Sequence, residues 1–364
     1  MQEHEEIRQL FERYREGRCT AKEEARVHAW FNHYAKNQAH GLDELQKMYE
    51  ADRTYKIKKW VHWLPYAAAV ILAVAVGFFF LDAKFNAQEE RKQDRKVAAA
   101  DIAPGRSRAT LSFADGQTID LSDEKTGIVI GERVSYLDGS EVSDGNGNLS
   151  SNIPRLMSLS TPKGGTYQIT LPDGTRVWLN AASTLRYPSR FEGNERIVEI
   201  EGEGYFSVVN DKERPFKVIS RDQEIEVLGT EFNIASYPDD NEAKTTLVEG
   251  KVKVSSLMQV NQKGVLIPGQ QAITRGANID VQTVDVAQYV AWKEGNFHFD
   301  NISLAELMKQ ISRWYDVEVI YRNTVPQERF SGGMSRNVTL QTVLELLRMS
   351  EIKYRVEGSK LIIE

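Results

Sequence analysis

Residues Leu64 to Leu81 read LPYAAAVILAVAVGFFFL, 18 residues without a charged side chain. As a helix this run would be about 27 Å long, against roughly 30 Å of bilayer hydrocarbon. Trp60, Trp63 and Tyr66 stand at its N-terminal edge, where amphipathic aromatics favour the headgroup zone. Pro65 falls in the first turn, where a missing N–H costs least. A core helix seldom runs this far without one polar side chain. A cleaved signal peptide would not follow such a long charged, helix-patterned segment. The spacing therefore predicts a transmembrane helix over 59–82. Lys56, Lys58 and Lys59 abut it on the N-terminal side, which puts the N-terminus in the cytoplasm and the long C-terminal part outside it. Arg91, Lys92, Arg95 and Lys96 beyond the span weaken that asymmetry.

Whole-chain averages hide this run. With 41% hydrophobic and 27% charged residues in 364, the chain passes for an ordinary soluble protein of two to three domains. The net charge of −6 argues against a nucleic-acid-coating surface. The single cysteine, Cys19, excludes an internal disulfide framework and a Cys-rich zinc site.

Residues 1–58 carry helical stripes. Ile7, Leu10, Phe11 and Tyr14 share one face, and Val27, Trp30, Phe31 and Tyr34 share the next. Thr20-Ala-Lys-Glu23 has capping-box spacing. A head this small is marginal alone. Its stripes either pack only on each other or complete their fold against a cytoplasmic partner. His28 and His33 are five apart, off a common helix face, and suggest no metal. Residues 83–100 are charged and Ala-rich and read as a stalk.

From 101 to about 290 strand alternation replaces the helical period. Val177/Leu179, Val198/Ile200, Phe206/Val208, Phe216/Val218, Ile225/Val227, Phe232/Ile234 and Val252/Val254 are each apolar at i, i+2. Asp115-Gly116, Asp138-Gly139, Asn146-Gly147 and Asp173-Gly174 supply turns. This predicts an all-β sandwich or β-roll. PGRSRATLSFADGQTIDL (104–121) and PKGGTYQITLPDGTRVWL (162–179) form a weak repeat, consistent with two equivalent hairpins. Residues 296–364 turn mixed: strand, helix and strand, then helix and a closing hairpin, a small α+β domain. Ser303-Leu-Ala-Glu306 has capping-box spacing.

No catalytic constellation stands out: no GxSxG, P-loop, HExxH or dinucleotide turn. Pro162-Lys163-Gly164-Gly165-Thr166 opens a strand rather than a helix, so it lacks a phosphate cradle. His298 stands alone in an alternating strand and reads as structural. Glu199, Glu201 and Glu203 alternate and read as a solvated sheet face. No catalytic residue, metal or cofactor is expected.

LPDGTRVWLNAASTLRYPSRF (171–191), VEIEGEGYFSVVNDKERPFKV (198–218), VLGTEFNIASY (227–237) and TTLVEGKVKV (245–254) resemble the signature blocks of FecR-type transmembrane anti-sigma regulators. PGQQA (268–272), AWKEGNFHF (291–299) and RWYDVEV (313–319) extend the likeness. The last segment opens a module similar to the C-terminal domain of the Bacteroidetes branch, itself like the small signalling domain of secretins and TonB-dependent transporters. GEGYFSV (202–208) stands where GEAYFEV is commoner, a mild departure at Gly204 and Ser207.

The resemblance implies a single-pass inner-membrane protein, N-terminus cytoplasmic and C-terminus periplasmic. Its head would bind an extracytoplasmic-function sigma factor, with Leu10, Phe11, Tyr14, Trp30 and Phe31 as the contact. Lys58, Lys59, Trp60, Trp63 and Tyr66 would anchor the span at the interface. The periplasmic part would sense the signalling domain of an outer-membrane TonB-dependent transporter. Stepwise proteolysis by site proteases would relay the signal, and no direct nucleic-acid contact is implied. An alternative from another class is a membrane-tethered periplasmic glycan-binding module, with Trp178 and Trp292 stacking on sugars. Against it, Trp178 between Val177 and Leu179 reads as strand-core packing. A membrane-anchored hydrolase rests only on the Glu199/Glu201/Glu203 strand.

Overall fold

A computed structural model describes Thr20 and residues 101–143, 156–259 and 261–364. The predicted head and membrane span lie outside the described residues. Among those residues no helix is long and apolar enough to cross a membrane. Ile102–Lys353 and Ile363–Glu364 form one compact unit.

From Arg106 to Thr283 the elements among the described residues are all β, as the alternation predicts. Every apolar i, i+2 pair named above is buried. One sheet runs through the strands Thr110–Phe113, Leu156–Thr161, Ser183–Pro188 and Phe216–Ser220 to Lys263–Leu266. The other runs through Gly127–Ile130, Gly165–Thr170, Arg176–Leu179 and Glu231–Ser236 to Asn278–Thr283. Their apolar faces share one core, in which Phe206 stacks on Phe232 at 5.1 Å and meets Phe216 at 6.3 Å.

One long strand, Arg196–Ser207, belongs to both sheets. Its first half pairs with Ser183–Pro188 and Phe216–Ser220, and its second half with Arg176–Leu179 and Glu231–Ser236. The change of partner falls at Gly202, whose φ is +95°. A Cβ there would lie 2.5 Å from Ser183 Oγ, so only glycine makes the bend. The two repeated segments are both hairpins, turning at Asp115-Gly116 and Asp173-Gly174. In each, an aspartate carboxylate accepts the backbone N–H two residues on, at Gln117 and at Thr175.

A connecting turn follows: α1 (Ala287–Val290) and a 3-10 turn (Ala291–Glu294). Then come the strand Asn296–Ser303, α2 (Leu304–Tyr315), the strands Glu318–Tyr321 and Arg329–Ser335, and α3 (Leu340–Met349). Ser303 caps α2 reciprocally with Glu306. Leu304, Leu307, Met308 and Ile311 form its buried stripe, and Leu340, Val343, Leu344 and Leu347 that of α3. Arg329–Ser335 is a strand the periodicity does not announce, because Gly332-Gly333 breaks its alternation; it pairs antiparallel with Asn296–Ser303. The chain closes with Tyr354–Glu357 and Lys360–Ile363, a hairpin.

Candidate functional site

The outer face of the second sheet is where the β region meets the C-terminal elements. Glu203, just past the Gly202 bend, sits at its centre. Asn180 Nδ2 donates to Glu203 Oε2 at 2.7 Å, and Asn233 Nδ2 donates to Oε1 at 3.0 Å. Each amide is held by another element. Arg336 Nη1 donates to Asn180 Oδ1 at 3.0 Å, and Trp292 Nε1 donates to Asn233 Oδ1 at 3.1 Å. The sheet, the connecting turn and the Arg336 loop thus converge on one carboxylate. Burial pushes the Glu203 carboxyl above its ordinary value of 4.5, against the lowering by both amides and by Arg336.

Arg336 is 4% exposed. Its guanidinium lies 3.9 Å over Trp314 and 5.1 Å over Phe297, and burial pulls it down to about 10. Its Nε has no partner among the described residues. Arg313 lies 3.6 Å over Tyr237 and pairs with Asp239 at 2.8 Å and Asp240 at 3.2 Å. Lys309 also pairs with Asp240. Gly164 N–H donates to the Arg313 carbonyl at 2.7 Å, and the Gly105 backbone packs so closely on Trp314 that a Cβ would come within 2.7 Å of the ring. The glycine pair after Pro162 therefore receives the end of α2.

These groups wall a cleft of about 360 Å³. Its cations and anions balance four to four: Arg336 against Glu203, Arg313 and Lys309 against Asp240, and Lys244 against Glu242 and Glu306. Asn241, Gln288 and Gln310 also line it, and their side chains hydrogen-bond no described residue. Beside the cleft, Lys293 Nζ lies 4.2 Å from the Tyr205 ring and 4.9 Å from Trp178, fastening the connecting turn to the sheet.

The residues singled out by the sequence fall unevenly on the structure. Leu10, Phe11, Tyr14, Trp30, Phe31, Lys58, Lys59, Trp60, Trp63, Tyr66 and the Leu64–Leu81 span lie outside the described residues. Glu199 and Glu201 are exposed, as a solvated face requires, but Glu203 is recessed beneath Arg336. Its distinction comes from Asn180 and Asn233, 23 and 30 positions away, and from Arg336 farther along the chain, which no local pattern displays. Trp178 is not core: it lies half-buried on the outer face, edge-on to Tyr205 at 5.7 Å, because alternation sends it opposite to Val177 and Leu179. Trp292 does line the cleft, as does His298, whose Nε2 is 3.8 Å from Asp285. Among the described residues no group of three or more His, Cys, Asp or Glu is placed to hold a metal ion.

The cleft thus joins the β region to the C-terminal elements through buried and paired charges. Comparison with known proteins gives the class. The family model for the FecR protein matches residues 157–253, and that for the FecR C-terminal region matches residues 296–363. A crystal structure of a candidate anti-sigma factor from Parabacteroides distasonis ATCC 8503 at 1.65 Å resolution is 31% identical, covering 57% of this chain and 98% of its own, with a TM-score of 0.53. A second crystal structure under the same description, at 2.50 Å, matches equally. No curated protein sequence matches. The chain belongs to the FecR family of anti-sigma factors. That family is regulatory, and membership implies a sigma-factor partner.

Proposed function

We propose that the chain is a single-pass inner-membrane regulator that holds an extracytoplasmic-function sigma factor on the cytoplasmic side. Its periplasmic body receives a signal from the signalling domain of an outer-membrane TonB-dependent transporter. The observation that carries this reading is the presence of both FecR-family regions in one chain with an uncharged 18-residue run upstream of them. A head and a body on opposite sides of a bilayer can communicate only through the span, its association or its cleavage. Cleavage is all-or-none, whereas a small shift along one helix is hard to sustain, and this favours proteolysis as the relay.

The test is affinity purification of the full-length chain from solubilised membranes. A sigma factor co-purifies, and Phe11→Ala or Trp30→Ala lowers its yield. Absence of any sigma factor, together with an unchanged transcriptome on gene deletion, would sink the reading.

A further inference from the structure

The cleft beside Glu203 has the build of a ligand site as well as of a joint. Its volume, about 360 Å³, falls within the range of roughly 300–1,000 Å³ typical of small-molecule sites. Its charges are balanced internally, which disfavours a phosphorylated or polyanionic ligand. Apart from the Arg336 Nε–H, what remains uncommitted is neutral. The amides of Asn241, Gln288 and Gln310 hydrogen-bond no described residue, and each offers both a donor and an acceptor. Tyr289 and Trp292, three residues apart on the connecting turn, line the same cleft. Among the described residues neither ring stacks on another aromatic or carries a cation. A pyranose presents an apolar C–H face to a flat ring and hydroxyls that both donate and accept, so it matches this combination.

We propose that the cleft binds a neutral carbohydrate, its ring against Trp292 or Tyr289 and its hydroxyls on Gln288, Gln310 and Asn241. Such a ligand touches the sheet, the connecting turn and α2 at once, so it bridges the two family regions. This adds a small-molecule input and does not depend on the sigma-factor reading, because binding is measured with no sigma factor present.

The full-length chain in lipid nanodiscs, free of sugar-headed detergent, is titrated calorimetrically with neutral malto-, cello-, xylo- and manno-oligosaccharides and with uncharged short peptides. Saturable binding of at least one oligosaccharide is expected. Trp292→Ala weakens it by about tenfold or more, as expected of a central aromatic anchor. Gln310→Ala, on the surface of α2 where the fold tolerates truncation, weakens it as well, while Val265→Ser outside the cleft leaves it unchanged. No saturable sugar binding, binding that ignores both cleft variants, or binding of peptides alone overturns the proposal.

Discussion

Arg196 carries a charge into the core of the β region at 1% exposure. Its Nη1 donates to Asp173 Oδ2 at 2.7 Å and to the Val209 carbonyl at 3.0 Å, and its Nε donates to the Arg214 carbonyl at 2.9 Å. Asp173 is the aspartate of the second repeat's turn, so one ion pair ties that hairpin to the start of the long strand. Removing either partner strands the other charge in the core, so Arg196→Met or Asp173→Asn alone should cost about 3–5 kcal/mol. The paired replacement should cost clearly less than the sum, read from denaturant midpoints of the two single variants and the double. Glu203 makes the opposite kind of prediction. Its carboxyl is held above 4.5 chiefly by burial, so between that value and its folded-state value the native protein binds more protons than the unfolded chain. Stability must fall as pH rises through that window and level off above it. Glu203→Gln lacks this component, so the stability of wild type minus that of the variant should decline as pH climbs from 4.5. A difference that stays flat would show that the carboxylate is not desolvated. At this scale the sequence is least informative: Glu199, Glu201 and Glu203 look alike in the chain, and only distant Asn180, Asn233 and Arg336 separate them.

At the scale of elements the sequence says much more, because period-2 alternation and Asp-Gly turns are local consequences of backbone geometry. The strands of the β region, the α2 cap and both helical stripes are legible directly. What stays hidden depends on pairing across distance. The Arg196–Ser207 strand alternates without interruption, yet it changes sheets at Gly202 because Ser183 on a neighbouring strand leaves no room for a Cβ. Arg329–Ser335 is a strand because Asn296–Ser303 supplies its ladder, and Gly332-Gly333 conceals it locally. The docking of α2 has the same character. Gly105 has no helical or strand signal, but a Cβ there would lie 2.7 Å from Trp314 ring atoms and from the Gly164 carbonyl. Gly105→Val should therefore push the Trp314 end of α2 off the β region while leaving both cores formed. Limited proteolysis should then cut the connecting turn at 287–294 faster than in wild type, with the β fragment surviving intact. Unchanged cleavage would mean that Trp314 is not a point of attachment.

At the largest scale, the Ile102–Lys353 part of the chain holds together because Arg336, Trp292 and Arg313 each engage the sheet from a different element. On the proposed reading, what a signal received there acts upon depends on where the membrane lies. The chain is its own reporter for that question, since Cys19 is its only cysteine and precedes the apolar run. With the N-terminus in the cytoplasm, a membrane-impermeant maleimide should leave Cys19 unlabelled in cells whose outer membrane alone is permeabilised, and should label it once the inner membrane is broken. In a Cys19→Ser background, Val265→Cys places a thiol on a strand residue that is 56% exposed. That thiol should label before the inner membrane is opened. The reverse pattern would invert the topology, and labelling of both at the first step would place head and body in one compartment. Proteolytic or span-mediated relay would then be unnecessary, and the proposal that residues 101–364 form a periplasmic input side would fall.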